Sequence, residues 1–199
     1  MEKIKFSKQE LKKRRDTLSQ YQHYLPILYL KKQQLQFEIL NQVNLLNSLE
    51  KEFNIKKEEV LKWINLITED LDFVKKQIKS YNVISEEKNI AGINIKIFKK
   101  VEFSIFEYDL FLAPLWLDKG LESLMNLVNI MENINTVRKN IELLKKELTI
   151  TTQRLNLFEK IKIPQLEDEI RIIKIYLGDQ FANAVGIAKI AKKKIEAGL

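Results

Sequence analysis

Few side chains in this sequence could do covalent chemistry. The single histidine, His23, stands beside Tyr21 and Tyr24 in a helical stretch. An imidazole that works as a base or a metal ligand needs a carboxylate, cysteine or second histidine near it, and a lone one at this spacing reads as a surface or seam residue. The carboxylates of "QLEDEI" at 165–170, Glu167, Asp168 and Glu169, could serve as an acid–base cluster. Adjacent helical residues point in different directions, however, so the run reads as a solvated face. No cysteine is present, which removes thiol nucleophiles, disulfides and thiolate metal sites. No phosphate-cradling glycine loop, nucleophile elbow or metal-ligand spacing occurs either. Trp63 and Trp116 read as packing anchors. The expectation is a chain that catalyses nothing and needs no cofactor.

If the residues do not react, they must build or bind. Of the net charge of +7, residues 1–15 carry seven basic side chains against Glu2 and Glu10, and residues 185–199 carry Lys189, Lys192, Lys193 and Lys194 against Glu196. The rest of the chain is close to neutral, so the basic character belongs to the two ends. Such a surface raises nucleic acid or an anionic membrane as partners. Aromatic residues are not interleaved with the basic runs, and the apolar residues form a narrow seam, so neither partner is expected. The charged start and the lack of any long uncharged apolar run point to a soluble intracellular chain without membrane insertion.

Five glycines and three prolines in 199 residues leave few turns and long elements. From Leu11 the apolar residues fall into heptads: Leu11, Leu18, Leu25, Ile39, Leu46 and Phe53 in one phase, with Tyr21, Leu28, Leu35 and Leu49 in the other. After a stutter near Lys57 the pattern continues through Val60, Ile64, Ile67, Leu71 and Val74 to Ile78, with Pro26 as the one interruption. A second long helix is expected from about Leu117 to Ile195, with seam residues Ile134, Val137, Ile141, Leu144, Leu148, Leu155 and Phe158. Beyond Pro164 the spacing of Leu166, Ile170, Ile173, Leu177, Phe181, Ala184 and Ala188 shifts towards an eleven-residue repeat. Pro164 sits at the change of phase, where it should leave the Lys160 carbonyl without its helical partner and bend the helix.

Between the helices, period two replaces period 3.6. Ile93, Ile95 and Ile97, then Val101, Phe103 and Ile105, alternate with polar residues and read as a short β-hairpin over 90–107, turning at Lys99–Lys100 with Gly92 at a bulge or bend. An apolar run broken at Pro114 follows. The expected fold is mainly α: a long antiparallel two-helix coiled coil of residues 1–80 and 118–199, with a central insert, 81–117, that contains the hairpin. Folding back would bring both basic ends to one pole.

Within this frame "RLNLFEKIKIPQLEDEIRIIKIYL", residues 154–177, resembles the signature of the D subunit of the V-type and A-type ATP synthases, through Arg154, Asn156, Glu159, Ile163, Pro164, Leu166 and Glu167. "SKQELKKRRDTL" and "ILYLKKQQL" look like that family's opening helix, and Leu117–Asp118 like the start of its returning helix. The resemblance implies the central rotor shaft of a rotary ATPase that makes or consumes ATP and moves protons or sodium ions. It would lie in the cytoplasm, peripheral to the membrane. The pole carrying both ends would enter the ring of A and B subunits. The insert, through Ile93, Ile95, Ile97, Val101, Phe103 and Ile105, and the opposite end would meet the small F subunit and the cup-shaped stalk subunit above the membrane rotor. At the basic tip, Lys12, Arg14, Arg15, Lys192 and Lys193 would face the inner sleeve of the ring. Periodicity alone equally allows a coiled-coil adaptor that tethers two partners without rotating.

Overall fold

A computed structural model describes residues 5–64, 78–105, 116–196 and 198. The chain is mainly helical, with one antiparallel hairpin between two long helical stretches. Helix α1 spans Lys8–Ile64, strand β1 Ile78–Ile90, strand β2 Ile93–Ile105, and helix α2 Leu117–Leu157; a π-helical turn over Phe158–Lys162 leads into helix α3, Ile163–Glu196. Among the described residues no helix is long and apolar enough to cross a membrane. The expected helical residues Ile67, Leu71 and Val74, and the expected break at Pro114, lie outside the described residues.

Local chemistry sets the ends of these elements. Ser7 caps α1: its Oγ accepts from the Glu10 N–H at 3.1 Å and its carbonyl from the Leu11 N–H at 3.0 Å, the first half of a capping box. Glu10 does not close the box, and binds the Arg14 guanidinium at 2.8 Å instead. Pro26 neither ends nor delays the helix, since α1 runs through it as one element.

Two compact units divide the chain, one of Gln33–Thr149 and one of Met1–Lys32 with Ile150–Leu199. In the first, α1 packs on α2 through Leu49, Ile134, Val137 and Ile141, with Leu46 and Phe53 against them. Leu35 and Leu144 meet Ile95 of the hairpin, each at most 1 % exposed, with Ile39 and Leu148 alongside. Trp116 packs on Leu117 and Leu121, in keeping with its expected role as an anchor. Leu35, Ile39, Leu46, Leu49 and Phe53 of α1 and Ile134, Val137, Ile141, Leu144 and Leu148 of α2 are expected seam residues, and the pairing of α1 with α2 is antiparallel.

The hairpin differs from its expected boundaries. Its turn is Ala91–Gly92, with φ of 51° and 82°, closing Ile90 on Ile93, and β1 reaches back to Ile78, which the heptad pattern had assigned to helix. Two successive residues with positive φ make the tight turn whose twist matches a hairpin, and glycine suits its second position. Asn89 supports it by accepting from the Gly92 N–H at 3.1 Å. Lys99–Lys100 is not a turn but a β-bulge: Ile84 pairs with Lys100 and Ser85 with Phe98, so β2 carries one residue more.

In the second unit the N-terminal part of α1 runs antiparallel to α3. Tyr21 stacks on Phe158 at 4.7 Å, Arg14 meets Glu169, and Phe6 lies 4.7 Å from Tyr176. Leu155 near the end of α2 and Leu166, Ile170 and Ile173 of α3 are buried in this unit. Both chain ends therefore belong to one unit. The seam outlasts its partner: every described residue from Gly178 to Glu196 is exposed, Phe181 at 73 % and Ile195 at 77 %.

Candidate functional site: the proline turn, the basic end and the hairpin

Pro164 lacks an N–H and would crowd the carbonyl four residues back in an unbroken helix. The π-turn removes that conflict. Over Phe158–Lys162 the helix widens, and the Ile163 N–H bonds the Phe158 carbonyl, five residues back. The backbone stays helical from the π-turn into α3 at Ile163, so Pro164 stands directly after the widened turn, where five-residue bonding relieves its clash with the carbonyl four residues back. The expected interruption at Pro164 is thus a local change of register upstream of the proline, and it accounts for the shift in apolar spacing at the same point.

Helix α1 braces this turn. Tyr21 stacks on Phe158 at an interplanar angle of 15°, and the Tyr29 hydroxyl donates to Glu159 Oε2 at 2.9 Å. That bond to a carboxylate, with a small desolvation and the Glu159 charge, raises the Tyr29 phenol above its ordinary range. Pro26 lies on α1 between the two tyrosines. Of the family-motif residues, Leu166 is buried and Ile163 half-buried in the seam, whereas Arg154, Asn156, Glu159, Pro164 and Glu167 are exposed. Packing explains the two apolar residues; the other five lie on the surface on and around the π-turn, with Glu159 holding Tyr29.

At the basic end Lys12, Arg15, Lys192 and Lys193 are exposed. Arg14 is used differently: its guanidinium bridges Glu10 at 2.8 Å and Glu169 at 3.0 Å, with Arg14 and Glu169 only 20 % and 12 % exposed in their side chains. The Glu169 Oε2 contact is an ion pair by distance without an aligned hydrogen bond, and Gln165 donates to Oε1 at 3.1 Å. Glu169, read from sequence as part of a solvated run, is therefore buried. Its i, i+4 offset from Gln165 and place one residue before Ile170 were the available signals. His23 is exposed, edge-on to Tyr24 at 6.0 Å.

The hairpin residues divide likewise. Ile95 and Val101 are buried within this chain, Ile93 and Phe103 are half-buried, and Ile97 is 39 % exposed. Ile105 ends β2. Sequence periodicity did not single out the residues that fasten the hairpin. Asn140 of α2, 3 % exposed, accepts from the Lys96 N–H at 3.1 Å and donates to the Lys96 carbonyl at 2.7 Å; Asn129 accepts from the Val101 N–H at 3.1 Å.

The whole chain is similar to known proteins. The family model for the ATP synthase D subunit matches residues 10–193. The V-type ATP synthase D subunit of Borreliella burgdorferi is 42 % identical over 98 % of this chain and 96 % of its own length. Those of Chlamydia pneumoniae and Chlamydia trachomatis are each 31 % identical over 97 % of this chain, covering 93 % and 96 % of the relative. With its long helices, hairpin and motif turn in place along that match, the chain belongs to the ATP synthase D-subunit family.

Proposed function

We propose that this chain is the central rotor shaft of a V-type ATP synthase, a non-catalytic subunit that couples ATP turnover in a ring of A and B subunits to proton or sodium transport. The observation that carries the reading is family membership over nearly the whole chain. The far end of α3, exposed from Gly178 onward among the described residues, would enter the ring together with the N-terminal end of α1. Exposed Lys12, Arg15, Lys192 and Lys193 would meet acidic side chains of the sleeve. Solvent-exposed pairs worth less than about 1 kcal/mol each suit a surface that exchanges partners as it turns. Arg14 belongs to the same end but would act chiefly by tying α1 to α3 through Glu169.

A shaft must present different faces to three catalytic interfaces, so that its angle biases their open and closed states. The π-turn supports that role, because it breaks the regularity of one helix where Tyr21 and Tyr29 of the other meet it, with Arg154, Asn156, Glu159 and Glu167 exposed around the break. Partner subunits would also cover the Gln33–Thr149 unit. Residues 33–49 of α1 carry one charge, Glu38, while Phe37, Leu40 and Leu45 are 66 %, 57 % and 43 % exposed. Such a face fits the small F subunit, and the hairpin side fits a stalk subunit leading to the membrane rotor, which would place the chain at the membrane periphery in the cytoplasm.

Coexpression of the chain with A, B and F subunits, followed by native mass spectrometry, tests the assignment. One copy with three A and three B subunits is the expected stoichiometry. A chain that leaves the ring empty, with F supplied, would return the reading to a free-standing tether.

A further inference from the structure

Among the described residues the sheet has two strands, so each strand has one outer edge. Helix α2 closes the edge of β2 with Asn140 on Lys96 and Asn129 on Val101. The spacings agree: eleven helical residues rise roughly 16 Å and five strand residues extend roughly 16 Å. Residues five apart on a regular strand turn their backbone groups to opposite edges. The extra residue of the bulge at Phe98–Lys100 brings Lys96 and Val101 to the same one.

This geometry fixes where β1 turns its own groups. Lys96 and Val101 direct theirs away from β1, so their cross-strand partners Glu87 and Val83 occupy non-hydrogen-bonded pairs and direct theirs away from β2. By alternation Tyr81, Val83, Ser85 and Glu87 all present N–H and C=O along the outer edge, over roughly 20 Å. Residues 80–89 are exposed throughout, with Tyr81 at 48 % and Val83 at 39 %. Proteins guard open edges with charges, prolines or bulges. Ser80–Ser85 has no charge and no proline, and the extra residue of the central bulge belongs to β2. Beyond it Glu86 is paired with Lys99 at 3.0 Å, while Glu87 has no ion pair among the described residues.

We propose that the outer edge of β1, from Tyr81 to Glu87, receives a third strand from another subunit of the complex, an inference that rests on the shaft reading. The entering segment is extended, apolar beside Tyr81 and Val83, and basic beside Glu87; main-chain bonds supply affinity and these three side chains supply register. A different subunit is favoured over a second copy because a shaft is present once per ring.

Proline substitution separates the outer edge from the ladder. Val83→Pro removes an outward N–H and leaves the β1–β2 bonds intact, whereas Ile84→Pro removes an inward donor and serves as the control for a broken hairpin. The full-length chain is coexpressed with the A, B, F and stalk subunits, and the purified assembly is studied by native mass spectrometry and amide hydrogen exchange. The expected result is that V83P keeps the ring subunits and loses the strand-supplying one, and that the Val83 and Ser85 amides of the unaltered chain exchange at least tenfold more slowly in the assembly than alone. Retention of every subunit by V83P, with Val83 exchanging equally fast in both states, would overturn the proposal and leave the shaft reading standing. So would a concentration-dependent dimer of the isolated chain that V83P abolishes, since the edge would then belong to a second copy. An unaltered chain that retains no ring subunit would overturn the shaft reading and this inference with it. The exchange comparison needs no variant, so it decides the matter even if V83P fails to form its hairpin.

Discussion

Replacing Asn140 tests whether a polar clasp, and not the apolar contact of Ile95 alone, holds the hairpin on α2. The Asn140 carboxamide makes two hydrogen bonds to one residue of β2 and is 3 % exposed. Asn140→Ala removes both, each worth about 1 kcal/mol net, and leaves a partly buried donor and acceptor that cost about 1–3 kcal/mol where water cannot reach them. Hairpin docking should weaken by about 2–4 kcal/mol, which is a roughly 30- to 1000-fold faster exchange of the Lys96 amide. Asn140→Asp sharpens the test. A neutral carboxylic acid offers one donor and one acceptor, as the carboxamide does, while the ionised form offers acceptors only and faces the Lys96 carbonyl. Docking therefore favours the protonated acid and raises its pKa above the unfolded value of about 3.9. A raised folded pKa means that the contribution is fully present below about pH 3.9 and is lost as pH climbs through the folded value. Hydrogen exchange corrected for intrinsic rates, compared with the unaltered protein at each pH, reads this directly. Less than threefold acceleration in the Ala variant, or an Asp variant equally protected at pH 4 and pH 8, would refute the reasoning.

Leu144→Ala empties a position that is 0 % exposed between Leu35 and Ile95, and should cost about 2–5 kcal/mol in urea unfolding. Pro164→Ala should change the stability of the isolated chain by less than about 1 kcal/mol, because the π-turn already relieves the proline's clash; a gain near 3 kcal/mol would show an unrelieved interior proline instead. In the assembled complex the same substitution should loosen the coupling of ATP hydrolysis to rotation, and unchanged coupling would remove the π-turn from the mechanism. Arg14→Ala leaves the Glu169 carboxylate shielded and without its ion-pair partner, so about 1–3 kcal/mol should be lost, against roughly 0.5 kcal/mol or less for Lys12→Ala or Arg15→Ala. The Tyr29 phenol is raised by its bond to Glu159, so that bond contributes below the ordinary tyrosine range near pH 10 and is lost as pH rises through the raised folded value. Ultraviolet titration should show one tyrosinate forming late in the unaltered chain and not in Tyr29→Phe.

Heptad spacing was enough to pair α1 with the returning helices, because burying a continuous seam leaves one arrangement for two long amphipathic stretches. Leu35, Leu49, Ile134, Val137, Ile141 and Leu144 lie buried where that pattern put them. The hairpin was legible only as an alternation. Its turn uses Ala91 at positive φ, a residue that does not advertise that conformation, and its bulge mimicked a turn because a phase break and a reversal look alike in a short apolar pattern. Asn129 and Asn140 were illegible for a different reason: an asparagine on a helix reads as surface until the strand whose edge it closes is in place. Arg14 shows the same limit, since a positive charge beside other positive charges revealed nothing of Glu169 on the facing helix. Pro164 carried a real signal, but its meaning depended on a register change six to two residues upstream that no single residue type encodes.

The central claim is rotation. Because the chain contains no cysteine, Lys88→Cys on the exposed hairpin gives one attachment point for a bead, and the A and B subunits can be fixed to a surface. With ATP supplied, a shaft predicts stepwise turning in one direction, three steps to the revolution. A bead that stays still while the same fixed rings hydrolyse ATP at their full rate would contradict it.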